Sequence, residues 1–370
     1  MNHSTATINC AQVKRVYYLI MNIQQNVPLA PLTSLGVGGN AEILITLENN
    51  EDMSIVLPKY HEKSIWVLGF GTNSLISDRG LPGVTLLTRS NKFEIHDSLL
   101  VADSGVWWDD IVQHAISQNK WGIELMSAIP GGVGASVVGN IAAYGQAVSD
   151  TLSWVEVFDT RNSKLSRLTS NDLSLDYRYS AFQTPEFSSF IITRAAFKLF
   201  DQANSELSYQ SAIDVAKQEN YNISTLEGRR QTIIKAREQA GSLWDYRDKL
   251  HDSQNAGSFF RNPIVSTEQA ETIMKFDETG KSTTALKRMN QVHGGNEQRV
   301  SAALVLLAAG FKRGQTWGPV RLHEHHVLKI ENTGGATAQQ IYDVVQEIVT
   351  TVKTKLGIDL IPEPRFLGEF

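Results

Sequence analysis

Two glycine-rich segments in the first half of the chain constrain its fold more than any other feature. The longer segment, residues 129–145, has Gly131, Gly132, Gly134 and Gly139 interleaved with small apolar residues. Glycine has no side chain to fill a core, but it lets a backbone lie flat against a large planar group. An aromatic side chain packed on the glycines is the alternative. Because there are two such segments, we expect a bulky cofactor instead.

The shorter segment, residues 69–74, follows an apolar run at residues 64–68 that predicts a buried strand. Gly69 and Gly71 let backbone amides approach a ligand closely, and consecutive amides form an anion-binding nest. The residues that follow add polar side chains: Thr72, Asn73 and Ser74. The pattern suits a pyrophosphate but lacks the third glycine of a dinucleotide fingerprint and the lysine of a P-loop. A purely structural turn remains the alternative.

Three other segments carry polar side chains in constrained surroundings. Arg178 lies between two tyrosines and can bind a carboxylate in bidentate fashion; its alternative is a surface arginine stacked on rings. Ser258 follows Gly257 and can donate a proton, although a turn serine bonded to its own backbone is the alternative. Glu363 is stiffened by a proline on either side, and an exposed terminal tail is the alternative.

The hydrophobic pattern predicts an α+β fold. Predicted strands cover residues 64–68, 84–88, 99–102, 154–158 and 190–199, and a predicted helix covers residues 109–118. Ser224 and Glu227 have capping-box spacing ahead of a helix at residues 229–239 that Gly241 ends. A second capping box, Thr337 with Gln340, precedes an amphipathic helix that ends at Gly357. Residues 203–221 are the expected domain boundary, because glycine-rich strands give way there to polar helix.

Composition excludes several classes of function. The net charge of −5 gives no sign of nucleic acid as a partner, and no apolar run is long enough to span a bilayer. The single cysteine, Cys10, excludes a disulfide framework, and the nine histidines show no metal-ligand spacing. We therefore expect a cytoplasmic protein without a metal site. Residues 1–25 read as an N-terminal extension, with Met21 as an alternative start.

The five segments, in this order, resemble the UDP-N-acetylenolpyruvoylglucosamine reductase family, and the resemblance runs from about Leu32 to Gly368. It implies an FAD-binding fold of the vanillyl-alcohol-oxidase type at residues 32–202 and a C-terminal α+β substrate-binding domain at residues 203–370. It also implies an FAD-dependent oxidoreductase, acting on a CH–CH group with NADP as acceptor, in peptidoglycan precursor synthesis. NADPH would reduce FAD, and the flavin would deliver hydride to UDP-N-acetylglucosamine enolpyruvate. We expect a monomer whose partner is that small molecule.

The resemblance also implies roles for individual residues. Arg178 and Glu363 would attend the substrate carboxylate, and Ser258 would protonate C2. The expected cofactor ligands are Gly69, Gly71, Thr72, Asn73, Ser74, Ile129, Pro130, Gly131, Gly134, Ser136, Asn140, Tyr144 and Gly145. The expected substrate ligands are Tyr209, Asn262 and Arg365.

Three positions depart from the family pattern. Tyr179 replaces an aspartate, Ala240 stands where a diphosphate-binding lysine is expected, and Leu307 replaces an acidic residue. These changes bear on substrate affinity more than on the chemical step. Two alternatives therefore stay open: a flavin oxidase of the same superfamily, and a flavin-binding paralogue that has lost turnover.

Overall fold

The computed structural model describes residues 22–247, 254–277, 280 and 298–370. The strands are β1 Asn22–Pro28, β2 Asn40–Leu47, β3 Ile65–Leu68, β4 Ser74–Ile76, β5 Leu81–Thr88, β6 Phe93–His96, β7 Leu99–Asp103, β8 Ala142–Ala143, β9 Gln146–Ala147, β10 Leu152–Asp159, β11 Lys164–Thr169, β12 Phe190–Lys198, β13 Gln254–Ser258, β14 Thr316–Trp317, β15 Val320–Leu322, β16 Lys329–Asn332 and β17 Arg365–Leu367. The α-helices are α1 Met53–Val56, α2 Trp108–Ser117, α3 Val133–Val138, α4 Gln210–Glu219, α5 Leu226–Gln239, α6 Thr267–Met274, α7 Ala302–Ala308 and α8 Ala338–Leu356. Single turns of 3-10 helix occur at Ala30–Leu32, Asn50–Asp52, Leu57–Tyr60, Glu124–Met126, Val148–Asp150, Ser170–Leu173, Ala181–Gln183 and Pro185–Phe187.

The first sheet has the order β1-β2-β5-β3. β1 pairs antiparallel with β2, whereas β5 runs parallel to both β2 and β3. Ile45, Leu47, Val84 and Leu86 are buried in its core with residues of α1. β3 ends directly before the shorter glycine segment, so this sheet fixes where that segment begins.

The second sheet is antiparallel, with the order β11-β10-β12-β7-β6. Helix α2 packs on it through Trp108, Ile111 and Val112, which are all fully buried. Helix α3, inside the longer glycine segment, contributes Val133 and Val137 to the same core. The longer glycine segment is therefore anchored on this second sheet.

The third sheet, β13-β16-β15-β14, lies in the C-terminal half. Helix α8 covers it with one apolar face, including Ile341, Val345 and Ile348. Leu35 and Leu75 from the first half belong to the same core. In addition, β17 pairs in parallel with β4, so the end of the chain returns to the shorter glycine segment.

Helix α5 joins the two halves through consecutive arginines. Arg229 donates to Glu124 at 2.8 Å, and Arg230 makes a bidentate pair with Asp109 at 2.8 and 2.7 Å. All four side chains are at most 13% exposed. Because buried charges are tolerated only in good ion pairs, these contacts fix α5 against α2 and the turn at Glu124–Met126.

The α+β prediction is confirmed, and each predicted strand is present with ends shifted by a few residues. The predicted cap of α5 was wrong: Thr225 caps the helix by accepting from the amide of Gly228, while the Ser224 hydroxyl donates to Asn222. Thr337 caps α8, as predicted. Residues 22–25, placed by the sequence in an extension, lie in β1; residues 1–21, including Cys10 and Met21, lie outside the described residues. None of the described helices is long and apolar enough to cross a membrane.

Candidate active site

The shorter glycine segment forms a tight turn between β3 and β4. Gly71 has a φ of 63°, and a β-carbon there would collide with the carbonyl oxygen of Leu32. Only glycine fits this position without strain. The Thr72 hydroxyl donates to the carbonyl oxygen of Pro130 at 3.2 Å, which brings the turn against the longer glycine segment.

The longer segment runs into helix α3 and then into the hairpin of β8 and β9. Gly131 has a φ of 139°, and a β-carbon there would lie 3.3 Å from the Thr72 hydroxyl oxygen. A β-carbon added at Gly69 would lie 3.8 Å from the β-carbon of Ala135, and one at Gly145 would lie 3.8 Å from the Ser208 hydroxyl oxygen, so each would make an ordinary contact. The two segments thus face each other across a narrow, glycine-lined space.

Two polar residues of the longer segment, Ser136 and Asn140, make hydrogen bonds within the protein. The Ser136 hydroxyl is buried and donates to the carbonyl oxygen of Gly132 in its own helix. Asn140, at a φ of 39°, accepts from the amide of Ser149 and donates to the carbonyl oxygen of Asp176 at 2.8 Å. Asn140 therefore fixes the turn that carries Arg178.

Arg178 sits in a two-residue turn closed by reciprocal backbone hydrogen bonds between Asp176 and Tyr179. Its φ is 54°, an uncommon conformation for a residue with a side chain. Its Nε lies 3.4 Å from Oε1 of Glu363. Burial alone would lower the pKa of Arg178, but the Glu363 carboxylate together with Tyr177 and Tyr209 more than offsets burial, and the pKa is raised. The guanidinium is therefore charged at any physiological pH.

Backbone pairing brings Glu363 next to Ser258. Ser258 ends β13 opposite Lys329 of β16, and its side chain is exposed. The next residue, Phe259, accepts a hydrogen bond from the amide of Glu363 at 2.9 Å. Asn73 also donates to the carbonyl oxygen of Glu363 at 3.3 Å. Ser258, Glu363 and the shorter glycine segment therefore meet at one place.

The predicted substrate ligands have different surroundings. Tyr209 packs edge-on against Tyr144 with ring centroids 5.7 Å apart, and burial raises the pKa of both phenols. Asn262 accepts from the amide of Ala302 at the start of α7, so its side-chain oxygen already has a partner. The Arg365 side chain is exposed at the start of β17.

The structure adds a cation that the sequence did not reveal. Arg237, on α5, donates to the carbonyl oxygens of Ala128 at 3.1 Å and Ser242 at 2.9 Å. Burial lowers the pKa of Arg237, and the charge of Arg178 lowers it further, although Tyr144 acts in the opposite direction. The site therefore holds two interacting guanidiniums. An arginine on a polar helix such as α5 carries no sequence signal that separates it from a surface residue.

An aromatic cluster also escaped the sequence analysis. Phe70, Trp107 and Tyr246 have ring centroids 4.5 to 5.1 Å apart, with Trp244 6.0 Å from Trp107. In this cluster Tyr246, which follows α5, packs against Phe70 of the shorter glycine segment. Among the residues that the structure describes, no group of three or more His, Cys, Asp or Glu side chains is placed to hold a metal ion.

Comparisons with known proteins agree with this arrangement. A family model described as the UDP-N-acetylenolpyruvoylglucosamine reductase C-terminal domain matches residues 248–367, and one described as an FAD binding domain matches residues 41–169. The UDP-N-acetylenolpyruvoylglucosamine reductase of Streptomyces coelicolor is 30% identical over 345 residues, which cover 92% of this chain and 89% of that protein. The reductase of the same name from Porphyromonas gingivalis is 31% identical over 357 residues, covering 94% of this chain and 100% of that protein.

A solved structure shows the same fold. The crystal structure of UDP-N-acetylenolpyruvylglucosamine reductase from Thermus caldophilus matches with a TM-score of 0.62 and 24% identity, covering 94% of this chain and 100% of that one. The fold is thus an FAD-binding domain joined to the C-terminal domain of these reductases. On the identity and coverage of its relatives, this chain belongs to the UDP-N-acetylenolpyruvoylglucosamine reductase family.

Proposed function

We propose that this protein reduces UDP-N-acetylglucosamine enolpyruvate to UDP-N-acetylmuramate in the cytoplasm, for peptidoglycan precursor synthesis, with FAD as cofactor and NADPH as reductant. One observation carries the proposal. The structure brings Arg178, Ser258 and Glu363 together from three distant parts of the sequence, beside two glycine segments.

The residues present fit a flavin. The glycine-lined space between residues 69–74 and 129–145 would be filled by side chains at Gly69 or Gly131. Within it, Thr72, Asn73 and Ser74 would hold the pyrophosphate, and residues 129–145 would face the ring system. Bound FAD supplies hydride chemistry, in which two electrons enter from NADPH and leave for C3 of the substrate.

The charge that develops on the substrate explains the roles of the polar residues. A hydride at C3 leaves negative charge on C2 and the adjacent carboxylate, as an enolate. Arg178 offers fixed guanidinium donors to that charge. Glu363, 3.4 Å from Arg178, orients the guanidinium.

Ser258 donates its hydroxyl proton to C2 and regains it from solvent. Serine is a weak acid, so its reactivity must come from position and from nearby positive charge. Ser258 is held in position because it ends β13, which is paired with β16. The nearby positive charge is the guanidinium of Arg178, which pairs with Glu363.

Three further residues would bind the rest of the substrate. Tyr209 is half-buried beside Tyr144, and its raised pKa keeps the phenol protonated as a hydrogen-bond donor. The amide nitrogen of Asn262 would face the phosphates, and Arg365 would meet negative charge at the mouth of the site. We propose that residues 32–202 bind the flavin and that residues 203–370 close over the substrate. We also propose that the protein acts as a monomer.

The test is an anaerobic absorption spectrum of the purified protein. NADPH should bleach the flavin band near 450 nm, roughly where oxidised flavins absorb, and UDP-N-acetylglucosamine enolpyruvate should restore it. Bleaching without recovery contradicts the proposed substrate. Fast oxygen consumption with a sugar alcohol, without NADPH, would identify an oxidase instead. A colourless protein that binds no added FAD would refute the cofactor assignment.

A further inference from the structure

Lys329 is a buried cation at the start of β16, in the third sheet. It opens β16, where it is 2% exposed, between Leu328 and Ile330. Its Nζ donates to the carbonyl oxygens of Ala240 at 2.5 Å and Gly241 at 2.6 Å, and to the Ser242 hydroxyl at 2.9 Å. All three ammonium protons are therefore used, and all three acceptors lie just beyond the end of α5.

These contacts connect the end of α5 to the strand beside Ser258. Lys329 is directly opposite Ser258 in the antiparallel pair of β16 and β13, so their side chains share one face of the sheet. Ser242, on the other side of the ammonium, accepts from Nη2 of Arg237 through its carbonyl oxygen. The chain of contacts runs from Ser258 through Lys329 and Ser242 to Arg237.

The close approach requires glycine at the end of α5. Gly241 has a φ of 57°, and a β-carbon there would lie 3.1 Å from Nε2 of His323 and 3.8 Å from Nζ of Lys329. The helix end is thus docked on β15 and β16. The last carbonyls of a helix carry partial negative charge, which a cation stabilises.

We propose that Lys329 is a positioning residue for substrate reduction, whose ammonium holds the end of α5 against the strand pair that carries Ser258. In this way it fixes Arg237 relative to the proton donor. The inference rests on the proposed function for its catalytic readout, but the contacts themselves do not depend on it. Lys329 does not touch the reacting atoms, since its protons are all engaged with α5.

Charged groups around Lys329 come from every element packed on it. Arg237 faces it from α5, Glu331 from its own strand, Arg321 and His323 from the β15 side and His326 from the turn before β16. Burial and, to a smaller extent, the charge of Arg237 lower the pKa of Lys329 to about 8 against the opposing effect of Glu331. A neutral amine has two protons to donate where the ammonium has three. One contact with the end of α5 is therefore lost as the pH rises through 8.

Folding stability should move in the opposite direction in that pH range. The folded pKa of Lys329 lies below the unfolded value of about 10.4, so above pH 8 the unfolded chain binds more protons than the folded one. This group alone then makes stability rise between those two values. A loss of turnover above pH 8 without a fall in melting temperature would thus come from the contact and not from unfolding.

The experiment compares the wild type with Lys329→Met, Lys329→Arg and Lys355→Met. Methionine keeps the volume and removes the charge. Lys355 is a matched control because its Nζ also donates to the carbonyl oxygen at a helix end, Ala309 after α7, at 2.7 Å and away from the site. Stopped-flow absorbance measures flavin reduction by NADPH and reoxidation by the enolpyruvyl substrate, separately, from pH 7 to 9.5.

Reoxidation should slow between about tenfold and a hundredfold in Lys329→Met at pH 7, the scale expected for a displaced active-site group. It should no longer change through pH 8, whereas reduction by NADPH stays at the wild-type rate. Lys329→Arg should restore most of the rate and remove the decline above pH 8, and Lys355→Met should match the wild type. Equal slowing of both half-reactions, or a wild-type rate that is flat through pH 8, overturns the proposal.

Hydrogen exchange separates this inference from the proposed function. The amides of Gly241 and Ser242 donate to Glu238 and Arg237 at the end of α5. They should lose protection in Lys329→Met and keep it in Lys355→Met. If the wild-type flavin is never reoxidised by the substrate, the proposed function fails, and unchanged protection in Lys329→Met would then also overturn the positioning role.

Discussion

The backbone amide of Glu363 donates to the carbonyl oxygen of Phe259 at 2.9 Å. Phe259 directly follows Ser258 and is fully buried, so this bond sets the glutamate beside the serine on a rigid support. Prolines on both sides of Glu363 remove most of the remaining backbone freedom. The site thus depends on a contact between the residue just after β13 and a residue just before β17.

Ser258→Ala should separate the two half-reactions. Flavin reduction by NADPH should stay near the wild-type rate, while reoxidation by the enolpyruvyl substrate slows by about two to four orders of magnitude, the usual contribution of general acid catalysis. Anaerobic stopped-flow absorbance measures both. Ser188→Ala, at an exposed serine whose hydroxyl donates to its own turn, is the control. An equal loss in both steps would show that Ser258 is structural.

Arg178→Lys should lower substrate reduction by about a hundredfold with an unchanged fold, because an ammonium cannot reproduce the planar donors of a guanidinium. The proper comparison is Arg167→Lys, whose guanidinium stacks on Trp154 at 3.9 Å away from the site. The rate of flavin reoxidation at saturating substrate is the measurement. Wild-type reoxidation in Arg178→Lys would remove Arg178 from the mechanism.

Arg230→Ala should destabilise the protein by about 3–5 kcal/mol, because it leaves the buried carboxylate of Asp109 without its bidentate partner. Arg247→Ala breaks ion pairs with Asp110 and Asp245 in which the arginine is 45% exposed, and should change stability by no more than about 1 kcal/mol. Urea unfolding gives both values. Similar losses of stability in the two variants would mean that the buried ion pair contributes no more than the exposed one.

The same pair predicts an acid limit for stability. Burial raises the pKa of Asp109, but hydrogen bonds from Arg230 and other donors outweigh it and the pKa is lowered overall. A folded pKa below the unfolded one stabilises the protein above the unfolded value of about 3.9, and that stability is lost as the pH falls further. The wild type should therefore lose more stability than Asp109→Asn between about pH 5 and pH 3, a range that spans the unfolded pKa. Parallel curves for the two proteins would contradict this.

Gly71→Ala should impair both stability and flavin retention. Alanine at a φ of 63° costs about 1–2 kcal/mol anywhere, and here its β-carbon also collides with the carbonyl oxygen of Leu32. Gly318→Ala is a matched control, since Gly318 has a φ of 60° and no atom within 4 Å of the added carbon. Melting temperature and bound flavin per chain are measured. The collision is unimportant if the two variants behave alike.

Local patterns predicted much of the fold because they depend on neighbouring residues. The apolar run at residues 64–68 correctly predicted β3, and the spacing of Thr337 and Gln340 correctly predicted the capping box at the start of α8. The cap of α5 was missed because Ser224 and Thr225 both match cap chemistry, and the choice depended on Asn222, which takes the Ser224 hydroxyl. Neighbouring residues within one turn decide which side chain caps a helix, but the residue pattern does not show which of two candidate side chains is already bonded elsewhere.

The sequence by itself determined the elements and two glycine segments, since hydrophobic periodicity and glycine turns are short-range properties. Only the tertiary structure decided that Asn73, Phe259 and Glu363 meet, because hydrogen bonds between distant strands leave no local pattern. It also placed the Lys329 ammonium on the carbonyl oxygen of Ala240, where the sequence had suggested a missing cation. The acceptors that explain the burial of this lysine come from another element, so no local pattern predicts it.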